Sequence, residues 1–218
     1  MKKDLTELVL ILDESGSMCD LTDDTIGGFN SMIESQKKEG GEVLVTTYLF
    51  NSTNRMIHDR VSIGEIKPMT RKDYAASGCT ALLDCLGTAI KHISSIHRYA
   101  REEDVPENTI FVITTDGMEN SSSVFGADEI RKMIRHEEEK YGWQFIYLAS
   151  NIDAVENAER VGIGSRNAVD YMPDSVGVRK AYGTVNSALS QVRTRKVSLN
   201  ADMSWRESTD EDFKARKK

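Results

Sequence analysis

Two stretches of this chain stay apolar for a full strand length and then stop on an aspartate. Leu8-Val9-Leu10-Ile11-Leu12 ends in Asp13, and Thr109 to Thr115, with Ile110, Phe111, Val112 and Ile113 at its centre, ends in Asp116. A strand with one wet face alternates apolar and polar residues. A continuous apolar run instead signals burial on both faces, the condition of strands inside a parallel sheet covered by helices. Helical patterns surround these runs. Asp23 to Lys38 places Ile26, Phe29 and Ile33 on one stripe, with a cap near Thr22 or Asp23. A long helix starting near Thr80 turns Leu82, Leu83, Leu86, Ile90 and Ile93 inward. Ala127 to Lys140 reads as a charged surface helix and Ala154 to Val161 as a short one. Ser175 to Arg195 closes the pattern, with Val178, Tyr182, Val185 and Leu189 on its apolar face.

Four further strands complete the reading. Glu42 to Phe50 and Arg55 to Ser62 flank the polar turn Asn51-Ser52-Thr53-Asn54 and predict a hairpin, while Trp143 to Ala149 and Asn167 to Met172 each follow a helix. The expected fold is α/β: a Rossmann-like, doubly wound, mostly parallel six-stranded sheet with one antiparallel edge strand and helices on both faces. A chain of 218 residues suits one such domain, expected over residues 1–195, with a polar tail over 196–218. Leu199, Met203, Trp205 and Phe213 are too scattered there for a helix face, so the tail is expected to be mobile or loosely docked. The formal charge of -7 repels phosphate backbones and argues against nucleic acid as a ligand. No apolar run is long enough to cross a membrane, and no signal-peptide pattern opens the sequence. Three cysteines, Cys19, Cys79 and Cys85, form no Cys-x-x-Cys pair, and a reduced, cytoplasmic setting is expected.

The chemistry sits at the strand ends. Asp13-Glu14-Ser15-Gly16-Ser17 alternates three oxygen-bearing side chains, Asp13, Ser15 and Ser17, directly after a buried strand. Loops at the carboxyl ends of strands form the ligand crevice of an open α/β sheet where strand order reverses. If the two aspartate-ending strands are neighbours there, Asp13 and Asp116 converge from surface loops, and Gly78-Cys79-Thr80 delivers a third hydroxyl. Two carboxylates side by side repel unless a cation lies between them. Two carboxylates and three hydroxyls, without thiolate or imidazole, suit Mg²⁺ or Mn²⁺, less exclusively Ca²⁺, and do not suit zinc. His58, His92, His97 and His136 lack the spacing of zinc ligands, and Cys79 reads as a small buried filler. Asp84 falls in the first turn of the Thr80 helix, where a carboxylate offsets the helix dipole or, alternatively, bonds metal-bound water. Gly27-Gly28 is expected to let its helix close on the sheet behind the loop. Gly162-Ile163-Gly164 lacks a preceding strand and reads as a turn.

Asp13-Glu-Ser-Gly-Ser, Thr80 and Asp116-Gly117, in this order and spacing, resemble the metal-ion-dependent adhesion site of von Willebrand factor A domains. The resemblance runs over roughly residues 5 to 195 and is nearest in flavour to stand-alone bacterial or phage members. It implies that Ser15, Ser17 and Thr80 touch the metal, that Asp13 and Asp116 bind directly or through water, and that Asp84 and Gly117 support them from behind. It further implies that an Asp or Glu of a partner protein completes the shell, so the expected function is binding and not catalysis. The competing reading is a metal-dependent phosphoryl-transfer enzyme with Asp13 as nucleophile. That chemistry wants a second carboxylate two residues on, where Ser15 stands, and a cation near the phosphate, for which Arg71 and Lys72 are available.

Overall fold

A computed structural model of the chain describes residues 1–151 and 153–217. The two apolar runs lie in β1 (Lys2–Asp13) and β4 (Pro106–Thr115), joined by α1 (Thr22–Lys37), β2 (Glu42–Phe50), β3 (Asn54–Ser62) and α2 (Leu82–Tyr99). The second half runs through α3 (Ala127–Tyr141), β5 (Gln144–Ala149), α4 (Ala154–Val161), β6 (Ala168–Asp170), α5 (Ser175–Arg193) and α6 (Glu207–Arg216). One sheet of six strands has the order β3-β2-β1-β4-β5-β6. All its pairs are parallel except the β2–β3 hairpin at the edge.

Side-chain alternation explains why β1 can be apolar throughout. Leu8, Leu10 and Leu12 face a core shared with α1 and α5, whereas Val9 and Ile11 face a second core under α2, α3 and α4. Each residue from Leu8 to Leu12 therefore buries its side chain on one face or the other, and the apolar burial on both faces drives the layers together. The strand order reverses between β1 and β4: the chain moves from β1 outward to β2 and β3 on one side, and β4 returns to pair with β1 on the other. The register sets Leu12 beside Thr114, so Asp13 and Thr115 end adjacent strands at the same level.

The helix expected to start near Thr80 begins two residues on, at Leu82, with Asp84 in its first turn. Two expectations need correction. The glycine pair of α1 does not serve the sheet: a Cβ on Gly28 would stand 2.2 Å from the Tyr182 ring of α5, while one on Gly27 would meet nothing within 4 Å. Nor is the segment after Arg195 loose. Leu199 and Trp205 are only 1% and 3% exposed and join the core under α1 and α5. The Trp205 indole donates to the Leu199 carbonyl at 3.2 Å, and the Gln191 amide donates to the carbonyls of Ser198 and Asp202. These two apolar anchors lie on extended chain and a single 3-10 turn, so they form no helical stripe for a periodicity argument to find.

Candidate metal centre

The parallel pairing of β1 with β4 fixes the base of the site. Asp13 is fully buried at the end of β1, and Asp116, just past β4, is 3% exposed. Both aspartates are thus part of the sheet's buried upper rim, and the expectation of surface loops is corrected. Each Asp13 oxygen has its own donor: the Ser15 backbone N–H reaches Oδ1 at 2.7 Å and the Thr115 hydroxyl reaches Oδ2 at 2.6 Å. The Tyr74 hydroxyl donates to the Asp13 carbonyl at 2.5 Å, locking the residue's backbone from the loop before Thr80.

Ser15, Ser17 and Asp116 are brought into one chain of contacts. The Ser15 and Ser17 hydroxyl oxygens are 3.1 Å apart, and Ser17 donates to Asp116 Oδ1 at 2.5 Å. Thr80 joins from the third loop. Gly117 measures the closeness: a Cβ there would lie 3.4 Å from Thr80 Oγ1 and 3.5 Å from Ser17 Oγ, so a larger residue would crowd the space between these oxygens. Thr80 itself is held at both backbone groups, donating to the Asn120 side-chain oxygen and accepting from the Asn120 N–H, each at 3.0 Å. The Gly16 N–H donates to the Gly78 carbonyl at 3.0 Å, tying the serine loop to the threonine loop. Asp13, Ser15, Ser17, Thr80, Asp116 and Gly117 therefore lie together at one end of the sheet.

Asp84 does not. Its carboxylate accepts the backbone N–H groups of Ser123, Val124 and Phe125 at 2.9 Å each, so it anchors the loop after Asp116. Glu119 performs a matching task, accepting from Ser121 and Ser122 and from the Leu83 N–H that opens α2. Thr115, Asn120, Tyr74 and Glu119 were not legible as site residues. Each acts through a hydrogen bond between loops far apart in sequence, which leaves no spacing signature. Cys79 is exposed, not a buried filler, and Cys19, also exposed, directs its thiol to the Ala76 carbonyl at 3.5 Å. The histidines lie elsewhere, His92 with Asp59 and His97 with Glu7.

Burial pushes the Asp13 carboxyl above the ordinary carboxylate range against the pull of Thr115 and Ser15, and the charge of Asp116 adds to the push. Burial likewise raises Asp116, opposed by Ser17 and its own backbone N–H. Among the described residues, no lysine, arginine or histidine lies within ion-pair distance of either aspartate. Two buried acids without a cationic partner, ringed by three neutral hydroxyls, fit a hard divalent cation by donor chemistry. The exposed Ser17 leaves a side open to solvent.

No protein-family model matches the sequence, and no curated protein matches it. Solved structures do. Proximal thread matrix protein 1 from the mussel byssus, in a structure with a zinc-occupied MIDAS motif, aligns with TM-score 0.58 at 15% identity, covering 83% of this chain and 44% of that one. A von Willebrand factor type A protein from Catenulispora acidiphila aligns with TM-score 0.55 at 11% identity, over 84% of this chain and 42% of that one. The ArnB paralog VWA2 from Sulfolobus acidocaldarius gives TM-score 0.52 at 14% identity, over 84% and 44%. The chain thus spans less than half the length of these structures. Together, the switch-point geometry and these likenesses give the chain the fold of a von Willebrand factor type A domain.

Proposed function

We propose that this domain holds one divalent cation, Mg²⁺ or Mn²⁺ and less exclusively Ca²⁺, and uses it to capture an acidic side chain of a partner protein. The observation that carries the reading is the meeting of Asp13 and Asp116, buried and without a basic partner, with the hydroxyls of Ser15, Ser17 and Thr80. Ser15, Ser17 and Thr80 would hold the ion, with Asp13 and Asp116 bound directly or through water. Mg²⁺ retains waters readily, and one of them can give way to a carboxylate. The zinc-occupied motif of the mussel protein supports divalent-metal use in this fold, while the all-oxygen donors here favour harder ions.

The phosphoryl-transfer alternative has less support. Ser15 stands where a second carboxylate is needed, and Arg71 is turned to Asp23, with which it forms paired bonds of 2.8 and 2.7 Å. The domain is read as a binder without catalytic activity, in a cytoplasmic setting. Among the described residues no helix is long and apolar enough to cross a membrane. A pull-down from lysate in Mg²⁺, in EDTA and with Thr80→Ala tests the reading. Capture only by the wild type in Mg²⁺ is expected; equal capture in all three arms overturns metal-mediated binding. Steady release of phosphate from an aryl phosphate would instead favour the enzyme.

A further inference from the structure

At the opposite end of the sheet from the metal loops, a cavity of about 530 Å³ opens between the end of α2, the start of β4 and the turn from α3 into β5. Its lining includes His97, Arg98, Pro106, Glu137, Lys140 and Trp143. The size lies within the range of small-molecule sites. Glu137 is the anomaly. It is 95% buried by its 5% exposure, yet its Oε2 has no hydrogen-bond partner among the described residues. A buried carboxylate oxygen without a donor is costly, and a cationic group bound beside it would offset that cost.

The rest of the wall narrows the complement. Trp143 is held rigidly, stacked on Phe111 at 5.3 Å and met edge-on by His97 at 5.5 Å. His97 is itself committed to the buried Glu7, 3.4 Å away, so it does not serve Glu137. With Pro106 and Val105, Trp143 gives the cavity an apolar side. At the mouth, Arg98 is exposed and forms no ion pair among the described residues, and Lys140 rests over the Tyr141 ring at 5.0 Å instead of pairing with an acid. The lining thus offers a buried carboxylate with no protein partner for its Oε2, an apolar wall, and two exposed cations that form no ion pair among the described residues, with the exposed Glu102 and Met1 on the same rim.

We propose that this cavity is a second, metal-independent ligand site for a small amphoteric molecule of the amino-acid class with an apolar side chain. Its ammonium group pairs with Glu137, its carboxylate with Arg98 and Lys140, and its side chain lies against Trp143 and Pro106. A simple amine would leave both mouth cations unanswered, and a simple carboxylic acid would leave Glu137 unpaired.

The chain's two tryptophans supply the probe and its control, since Trp205 is buried in the other core. Amide and indole NMR spectra of the 218-residue chain are recorded with L-phenylalanine or L-leucine up to roughly 10 mM, a range that detects even weak binding. Phenethylamine and 3-phenylpropionate serve as single-charge comparisons, and each series is repeated in EDTA. Saturable movement of the Trp143 indole signal with the amino acids, a still Trp205 signal, and no effect of EDTA are expected. Glu137→Gln and, separately, Arg98→Ala should each weaken amino-acid binding about tenfold, the cost of losing one charge-assisted bond. The Arg98→Ala change should leave phenethylamine unaffected, which separates lost recognition from lost folding. A Trp143 signal indifferent to both amino acids, or phenethylamine or phenylpropionate binding as tightly as phenylalanine, overturns the assignment.

Discussion

Asp84 shows how a carboxylate beside the proposed metal site can act on its loops alone. Burial pushes its carboxyl up, but the N–H groups of Ser123, Phe125 and Val124 pull harder and hold it below the ordinary 3.8. A depressed carboxyl stabilises the fold above its unfolded value and loses that contribution as pH falls through the lower folded one. Asp84→Ala is therefore expected to cost about 2 kcal/mol at neutral pH. Urea midpoints of the two proteins should converge as the pH drops below 3.8; a gap that stays constant to lower pH would mean that the charge is irrelevant. The residues that end strands were legible in the sequence, because Asp13 and Asp116 interrupt apolar runs at defined places. The residues that hold the loops were not. Thr115 reads as one more strand threonine, and Asn120 gains its role only once the loop after Asp116 folds against Thr80.

At the scale of elements, two adjacent glycines of α1 have opposite surroundings. Gly28 lies under the Tyr182 ring of α5, whereas Gly27 is exposed with room around it. Gly27→Ala should stabilise the domain by about 0.5–1 kcal/mol through helix propensity. Gly28→Ala should destabilise it by about 1–3 kcal/mol, because the new methyl meets an aromatic ring within a packed interface. Thermal melts of the two variants check this, and shifts of the same sign would contradict the α1–α5 packing. The chain beyond Arg195 gives a second test. Trp205→Ala should cost about 3–5 kcal/mol, as for other buried tryptophans, and truncation after Arg195 at least as much. A truncated protein melting with the full chain would restore the loose tail that scattered apolar residues suggest. Helices and strands with sustained periodicity were legible in advance, whereas this segment was not, because it buries single side chains from irregular backbone and its helix α6 has Thr209 as its one buried residue among those described.

For the whole molecule, the sheet order brings two acid-ending strands together at the reversal between β1 and β4, while helices cover both faces of the sheet. The architecture was legible because strands buried on both faces demand helical cover, and the helical stripes and the Asn51–Asn54 turn supplied the cover and the antiparallel edge. A metal at the upper rim would neutralise the buried acids and tie three loops to one point, so binding should also raise the melting temperature in proportion to the logarithm of metal concentration. The most direct test is a calorimetric titration of Mg²⁺, and in parallel Mn²⁺, into the wild-type protein and into Asp13→Ala and Asp116→Ala, with circular dichroism to confirm that each variant is folded. The expected result is one site in the wild type and none in either folded variant. Unchanged affinity in both variants would contradict the site.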